Sequence, residues 1–123
     1  SGKHEILVVD DSAPARQHLR GLLQGRGFAV VEADSAEAAL AQLSPESAYA
    51  AVLMDIMLPG IDGYEACRQI RAKFPNLPVI MLTSRASPFD RIRGSMAGCN
   101  AYLTKPADPQ ELYGLLGKYS HMV

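Results

Sequence analysis

The chain has no tryptophan and only two cysteines, carries almost no net charge, and holds no apolar run approaching membrane-spanning length. Each shortage excludes something. The longest apolar stretch, residues 48–54, falls far short of the roughly 20 residues that cross a bilayer, and no signal peptide pattern opens the chain. Twelve Lys+Arg against thirteen Asp+Glu leave a formal net charge of −1. With no basic cluster, there is no electrostatic footprint for direct nucleic-acid or membrane-surface binding. Cys67 and Cys99 have no CxxC companion and no nearby histidine. They read as reduced core cysteines of a cytoplasmic protein rather than as a disulfide or a metal site. His4, His18 and His121 show no ligand spacing and read as surface residues. Ser12-Ala13-Pro14 lacks the glycines of a phosphate-cradling loop, which argues against a nucleotide site. Ser1-Gly2 reads as a cloning scar and is set aside.

What is present is the composition of a globular domain. Over 123 residues, 48% are hydrophobic and 20% charged, and a chain of this size buries roughly two-thirds of its unfolded surface. One domain over residues 3–120 is expected. Apolar runs of strand length recur along it: Ile6–Val9, Phe28–Val31, Ala50–Met54, Val79–Leu82 and Ala101–Leu103. Most are continuous rather than alternating, as in parallel strands covered on both faces. Helical patterns lie between them. Pro14 suits a first helical position ahead of Ala15, Leu19, Leu22 and Leu23, with Gly25 and Gly27 at the end. Ser35 caps a stripe of Ala36, Ala39, Leu40 and Leu43. Asp62 with Glu65, and Asp108 with Glu111, have capping-box spacing ahead of Ala66, Cys67 and Ile70, and of Leu112, Leu115 and Leu116. Ser87–Ala97 is the weakest helix, since Pro88 and Gly94 both count against it. The repeated β-α alternation predicts a doubly wound α/β fold with right-handed crossovers and helices on both faces.

In such sheets ligands bind beyond the carboxyl ends of the strands, where strand order reverses. The first run is followed by Asp10-Asp11, the third by Asp55, the fourth by Thr83-Ser84 and the fifth by Thr104-Lys105; Glu32-Ala33-Asp34 after the second is less distinctive. Taken singly, each has an ordinary explanation: a turn, a β-branched strand end, a solvated lysine. Together, on the assumption that the strands take the common order 2-1-3-4-5, they meet at one crevice. Three carboxylates there repel one another, and a hard divalent cation such as Mg²⁺ relieves that repulsion. Lys105 offers a compact positive charge to a phosphoryl oxygen, and Thr83 offers a hydroxyl. A carboxylate is also a competent nucleophile, so the set fits phosphoryl transfer onto an aspartate.

Four blocks carry a family resemblance: Ile6 to Ser12 (ILVVDDS), Leu53 to Gly63 (LMDIMLPGIDG), Val79 to Ser84 (VIMLTS) and Tyr102 to Pro106 (YLTKP). In order, and across essentially the whole chain, they resemble the receiver domain of two-component response regulators, including the single receivers of chemotaxis and twitching motility. The resemblance implies a flavodoxin-like five-stranded sheet with five helices. It implies Asp55 as phosphoacceptor, Mg²⁺ (with Mn²⁺ able to substitute) held by Asp10, Asp11, Asp55 and the Met57 carbonyl, and Lys105 paired with the phosphoryl group. Thr83 would be the switch hydroxyl, Tyr102 the switch aromatic, and Lys105-Pro106 a cis peptide. The phosphoryl donor would be a sensor histidine kinase or a histidine phosphotransfer protein. The domain would catalyse only its own phosphorylation and slow dephosphorylation, and is not otherwise an enzyme. Phosphorylation would reshape the face of the fourth helix, fifth strand and fifth helix, read by a downstream target or effector domain, with a phosphorylation-dependent dimer through the same face. Both a stand-alone regulator and a receiver within a longer protein fit.

Two other classes share part of the pattern. A haloacid-dehalogenase-like phosphatase also uses a strand-end aspartate and Mg²⁺, but wants Asp-x-Asp where this chain has adjacent Asp10-Asp11. A flavodoxin-like electron carrier shares the fold, but needs a phosphate-binding first loop and flanking aromatics.

Overall fold

A computed structural model describes residues 4–84 and 87–119, the Phe89 side chain apart. The readings made for Ser1, Gly2, Lys3, Ser120 and His121 lie outside the described residues. Ten elements alternate: β1 (Glu5–Val9), α1 (Ala13–Gln24), β2 (Ala29–Ala33), α2 (Ala36–Ala41), β3 (Tyr49–Asp55), α3 (Gly63–Lys73), β4 (Val79–Thr83), α4 (Pro88–Ala97), β5 (Ala101–Thr104) and α5 (Pro109–Tyr119). The strands form one parallel sheet, as the alternation predicts, in the order β2-β1-β3-β4-β5 assumed for a doubly wound fold.

The period-two direction of strand side chains divides the apolar residues between two layers. Leu7, Val9, Val52, Met54, Val79 and Met81 face α2, α3 and α4, where they meet Ala39, Ala66, Cys67 and Ile70. Ile6, Val8, Leu53, Ile80, Leu82 and Leu103 face α1 and α5, against Leu19, Leu23, Leu112 and Leu116. The three central strands are buried along nearly all their length, which is why their sequences read as continuous apolar runs. β2 and β5, at the sheet edges, are only partly covered.

Helix ends follow the local chemistry. Ser12, Ser35 and Asp62 cap α1, α2 and α3, each accepting a backbone N–H from three residues on. At α3 only half of the expected capping box forms, because the Glu65 carboxylate accepts from Arg68 and Gln69 instead. Asp108 accepts the Glu111 N–H at 3.0 Å ahead of α5. The doubtful fourth helix is present and has the complete box, with Ser87 and Asp90 bonding reciprocally. Pro88 sits in its first turn, where a missing N–H has no partner to lose. Gly94 is buried with the Tyr102 ring 3.1 Å from where a Cβ would stand, so the glycine serves close packing.

Behind the sheet's other end, Arg71 ties α3 to the segments flanking α4. Its guanidinium donates to the carbonyls of Gly98 and Leu77 at 3.0 and 2.9 Å and to Asn100 Oδ1 at 2.6 Å. Asn100 Oδ1 also accepts the Val79 N–H, which registers this anchor to β4.

Gly63 brings α3 close to the end of β3. A Cβ there would stand 2.5 Å from the Asp55 carbonyl oxygen and 2.8 Å from Ile56 Cα, both backbone atoms that cannot swing aside. Gly114, exposed in α5, has nothing within 4 Å. Denaturant unfolding should separate the two: Gly63→Ala is expected to cost about 1–3 kcal/mol through overpacking, while Gly114→Ala gains about 0.5–1 kcal/mol of helix propensity. Equal effects at the two positions would contradict this account of α3 docking.

Candidate functional site

The parallel register brings the chemistry to one edge. β1 ends at Val9, beside Met54 of β3, so Asp10 lies next to Asp55 at the carboxyl end of the sheet. Asp55 pairs with Leu82 in β4, and Thr83 pairs with Thr104 in β5. Lys105 follows immediately, its backbone N–H donating to the Thr83 carbonyl at 2.7 Å. The peptide from Lys105 to Pro106 is cis. Two strand ends from the centre of the sheet and one from its border therefore place Asp10, Asp55 and Lys105 together.

The Lys105 ammonium pairs with Asp10 Oδ2 and lies 3.2 Å from Asp55 Oδ2. Both carboxylates are deeply buried, Asp10 at 1% and Asp55 at 6% exposure, whereas Asp11 is exposed. Ser12 donates its N–H to Asp10 Oδ1 at 2.9 Å, and Met57 donates its N–H to Asp55 Oδ1 at 3.2 Å. That second bond folds the chain after β3 so that Met57 stands beside the acidic group. Thr83 is buried at the same edge. Beyond these residues lies an open cavity of about 580 Å³, bordered by Asp11, Met57, Tyr64, Thr83, Asp90 and Arg93.

Burial pushes the Asp55 carboxyl above the usual carboxylate range; Lys105 opposes this and Asp10 adds to it. Burial works to lower Lys105, but the Asp10 and Asp55 carboxylates outweigh it and hold the ammonium above its ordinary value. The site is thus short of positive charge. Carboxylate oxygens of Asp10, Asp11 and Asp55 lie within 4.8 Å of one another. This all-oxygen donor set, with one exposed member and room for water, suits a hard divalent cation such as Mg²⁺.

Tyr102 lies two residues before Thr104, its ring against Gly94 and its hydroxyl 3.5 Å from that of Tyr64. Burial, and then the Tyr64 hydroxyl, push its phenol well above the ordinary range. Tyr64, almost fully buried, donates to the Asp90 carbonyl of α4 at 3.2 Å. Sequence pattern alone singled out neither Tyr64 nor Arg16, although Arg16 bonds the Asp10 carbonyl. An aromatic in a helical stripe and an arginine on a helix carry no signal beyond core and surface. The histidines read as surface residues are exposed at positions 4 and 18. Cys67 is buried and Cys99 half-buried, both unpaired by disulfide, and burial pushes the Cys67 thiol up to about 11.

Comparison with known proteins bears on the same edge. A family model described as the response regulator receiver domain matches residues 6–116. The transcriptional regulatory protein ResD of Bacillus subtilis is 43% identical over 108 residues, covering 88% of this chain and 44% of ResD. Response regulator MprA of Mycolicibacterium vanbaalenii is 41% identical over 107 residues, covering 87% of this chain and 46% of MprA. The chain spans about half the length of these curated relatives. The crystal structure of chemotaxis protein CheY4 of Vibrio cholerae matches with a TM-score of 0.86 at 29% identity, covering 94% of this chain and 97% of that one.

The raised Asp55 carboxyl sets a pH dependence whose sign is fixed. Above the folded-state pKa, the folded protein bears the full cost of a buried carboxylate; as pH falls through it, the folded form takes the proton first and recovers stability. A neutral amide removes that cost. In metal-free buffer, Asp55→Asn should therefore melt at a higher temperature than wild type at pH 7, and the gap should narrow as pH falls toward the unfolded carboxyl value of 3.8. A variant that is less stable at pH 7 would show that Lys105 outweighs burial.

Proposed function

The chain belongs to the response regulator receiver domain family of two-component signalling systems, and from that premise we propose that it accepts a phosphoryl group on Asp55. The observation that carries the reading is the shared Lys105 ammonium, paired with Asp10 and 3.2 Å from Asp55. Asp10, Asp11 and Asp55, with the Met57 carbonyl, would hold Mg²⁺, or Mn²⁺ in its place, which supplies positive charge against the phosphoryl oxygens when bound.

Asp55 is the acceptor because its carboxylate ends the central strand, with its Oδ1 oriented by the Met57 N–H. In the transfer, an Asp55 oxygen attacks phosphorus and a P–O bond forms. The P–N bond to the donor's imidazole breaks, and its electron pair stays on the nitrogen, which takes up a proton. Lys105 releases its hold on the two carboxylates and pairs with a phosphoryl oxygen. The Thr83 hydroxyl draws toward another. The donor is a sensor histidine kinase or a histidine phosphotransfer protein, and the only chemistry is self-phosphorylation and slow hydrolysis of the acyl phosphate.

Output follows from the α4 side. Movement of Thr83 frees space for the Tyr102 ring, and the α4-β5-α5 face changes shape for a target protein, an effector domain or a second copy of the chain. Support comes from the bond chain Tyr102, Tyr64, Asp90, which connects the neighbouring strand to the first turn of α4. Contact with the kinase is protein–protein rather than through nucleic acid or lipid, and a cytoplasmic setting fits that role. No described helix is long and apolar enough to cross a membrane.

Incubation with acetyl phosphate and Mg²⁺ should add the mass of one phosphoryl group to the intact protein, and Asp55→Asn should abolish the increment. Comparable labelling of the variant would move the nucleophile elsewhere. Beryllofluoride should shift the amide resonances of Ser87–Gly94 and Tyr102 as well as those beside Asp55. Shifts confined to the neighbours of Asp10, Asp55 and Lys105 would remove the α4 output.

A further inference from the structure

Arg16 bonds backbone at the acidic pair rather than any of its carboxylates. Its Nη1 donates to the Asp10 carbonyl at 2.6 Å, while its Nε donates to Glu32 Oε1 at 2.7 Å. The other oxygen of Glu32 accepts from Arg20 Nε at 2.6 Å, and Arg20 reaches the Val30 carbonyl at 3.4 Å. Two arginines one turn apart on α1 would repel each other, and the single Glu32 carboxylate between them removes that repulsion. The two arginines, Arg20 first, hold the Glu32 carboxyl below its usual range.

From this geometry we infer that Arg16 is a positioning residue for the cation site: it sets the peptide plane between Asp10 and Asp11 and so aims the Asp11 carboxylate. The inference rests on the phosphoacceptor reading above. Asp10 already has its side chain held by Lys105 and the Ser12 N–H, and its own N–H donates to the Ala33 carbonyl at 3.1 Å. Asp11 has no side-chain hydrogen bond among the described residues, so the backbone alone sets its direction. Arg16 fixes that backbone, and Glu32 fixes Arg16 against the edge strand β2. Because the network is partly solvated, with side-chain exposures of 18% for Arg16 and 25% for Glu32, its worth to folding is modest. Its effect falls on where Asp11 points.

Charge and position make opposite demands, which makes the inference testable. If Arg16 mattered only as a positive charge near the carboxylates, removing it would tighten cation binding. If it positions Asp11, removing it weakens binding, by about 10-fold on the scale usual for residues that orient metal ligands. Arg20→Met is the control, since it deletes the same charge from the same Glu32 without touching Asp10. The experiment titrates Mg²⁺ into wild type, Arg16→Met and Arg20→Met, following the Asp10–Ser12 amide resonances, with metal-free melting temperatures in parallel. The expected result is a weakened Mg²⁺ affinity in Arg16→Met alone, with similar melting temperatures for the two variants. Equal or tighter binding by Arg16→Met, or an equal loss in Arg20→Met, overturns the inference. If Arg16→Met does not fold, Arg16→Lys carries the test, because it keeps the charge but not the two-pronged donor; unchanged affinity there also overturns it. A wild type that binds no Mg²⁺ defeats the phosphoacceptor reading itself, whereas binding by wild type with no change in the variants defeats this inference alone.

Discussion

The Lys105 ammonium shared by Asp10 and Asp55 is the interaction on which the rest of the site depends. Two carboxylates cannot stay charged and buried side by side without compensation, and Lys105 supplies one positive charge against two negative ones. Burial holds the Asp55 carboxyl high even so. That imbalance is useful to a phosphoacceptor. It leaves demand for a cation at the exposed Asp11 side, and under the proposed function it would give Lys105 a new oxygen to follow once Asp55 carried a phosphoryl group. The lysine keeps its place through the backbone bond from its own N–H to the Thr83 carbonyl, so the residue that neutralises the acids is also tied to the residue proposed to sense them.

The sheet explains why polar networks gather where they do. Its three central strands are covered on both faces, and the polar groups of the site stand at or just beyond their carboxyl ends. The edge strands β2 and β5 are partly open, and each carries a network running toward the site. At β2, Glu32 clamps Arg16 and Arg20, and Arg16 in turn donates to the Asp10 carbonyl. At β5, Tyr102 meets Tyr64, which holds the Asp90 carbonyl of α4, while the Arg93 guanidinium lies 4.3 Å over the Tyr64 ring and that of Arg91 5.3 Å over Tyr102. One border steadies the acidic pair. The other connects the Thr83 side of the site to the helix proposed to change.

The α4 region joins tight packing to local bonds of small net worth. Gly94 admits the Tyr102 ring, and Arg71 anchors the helix's far end to β4 through Asn100. Among the described residues, the first turn has the Ser87–Asp90 box and one tyrosine hydroxyl bond, each worth about 1 kcal/mol in net terms. These contacts are the ground for proposing that the amino end of α4, nearest the acidic edge, is the end that shifts.

Sequence alone determined the strands, their parallel arrangement and the residues at their carboxyl ends. Continuous apolar runs report burial on both faces, and caps such as Ser35, Asp62 and Asp108 are local chemistry, legible within a few residues. Asp10, Asp55 and Thr83 are legible because each directly follows such a run, and Lys105 because only Thr104 separates it from one. The fourth helix is the weakest in sequence because Pro88 and Gly94 both have low helix propensity. Pro88 stands in the first turn, and Gly94 answers to Tyr102, which comes from the next strand. Only the tertiary structure decided that Glu32, in a strand end that looked unremarkable, binds two arginines and through one of them the Asp10 carbonyl. It alone set the meeting of the Tyr64 and Tyr102 hydroxyls and the approach of Gly63 to the Asp55 backbone. These contacts join residues far apart in the chain through side-chain reach and helix docking, and neither leaves a periodic trace in one dimension.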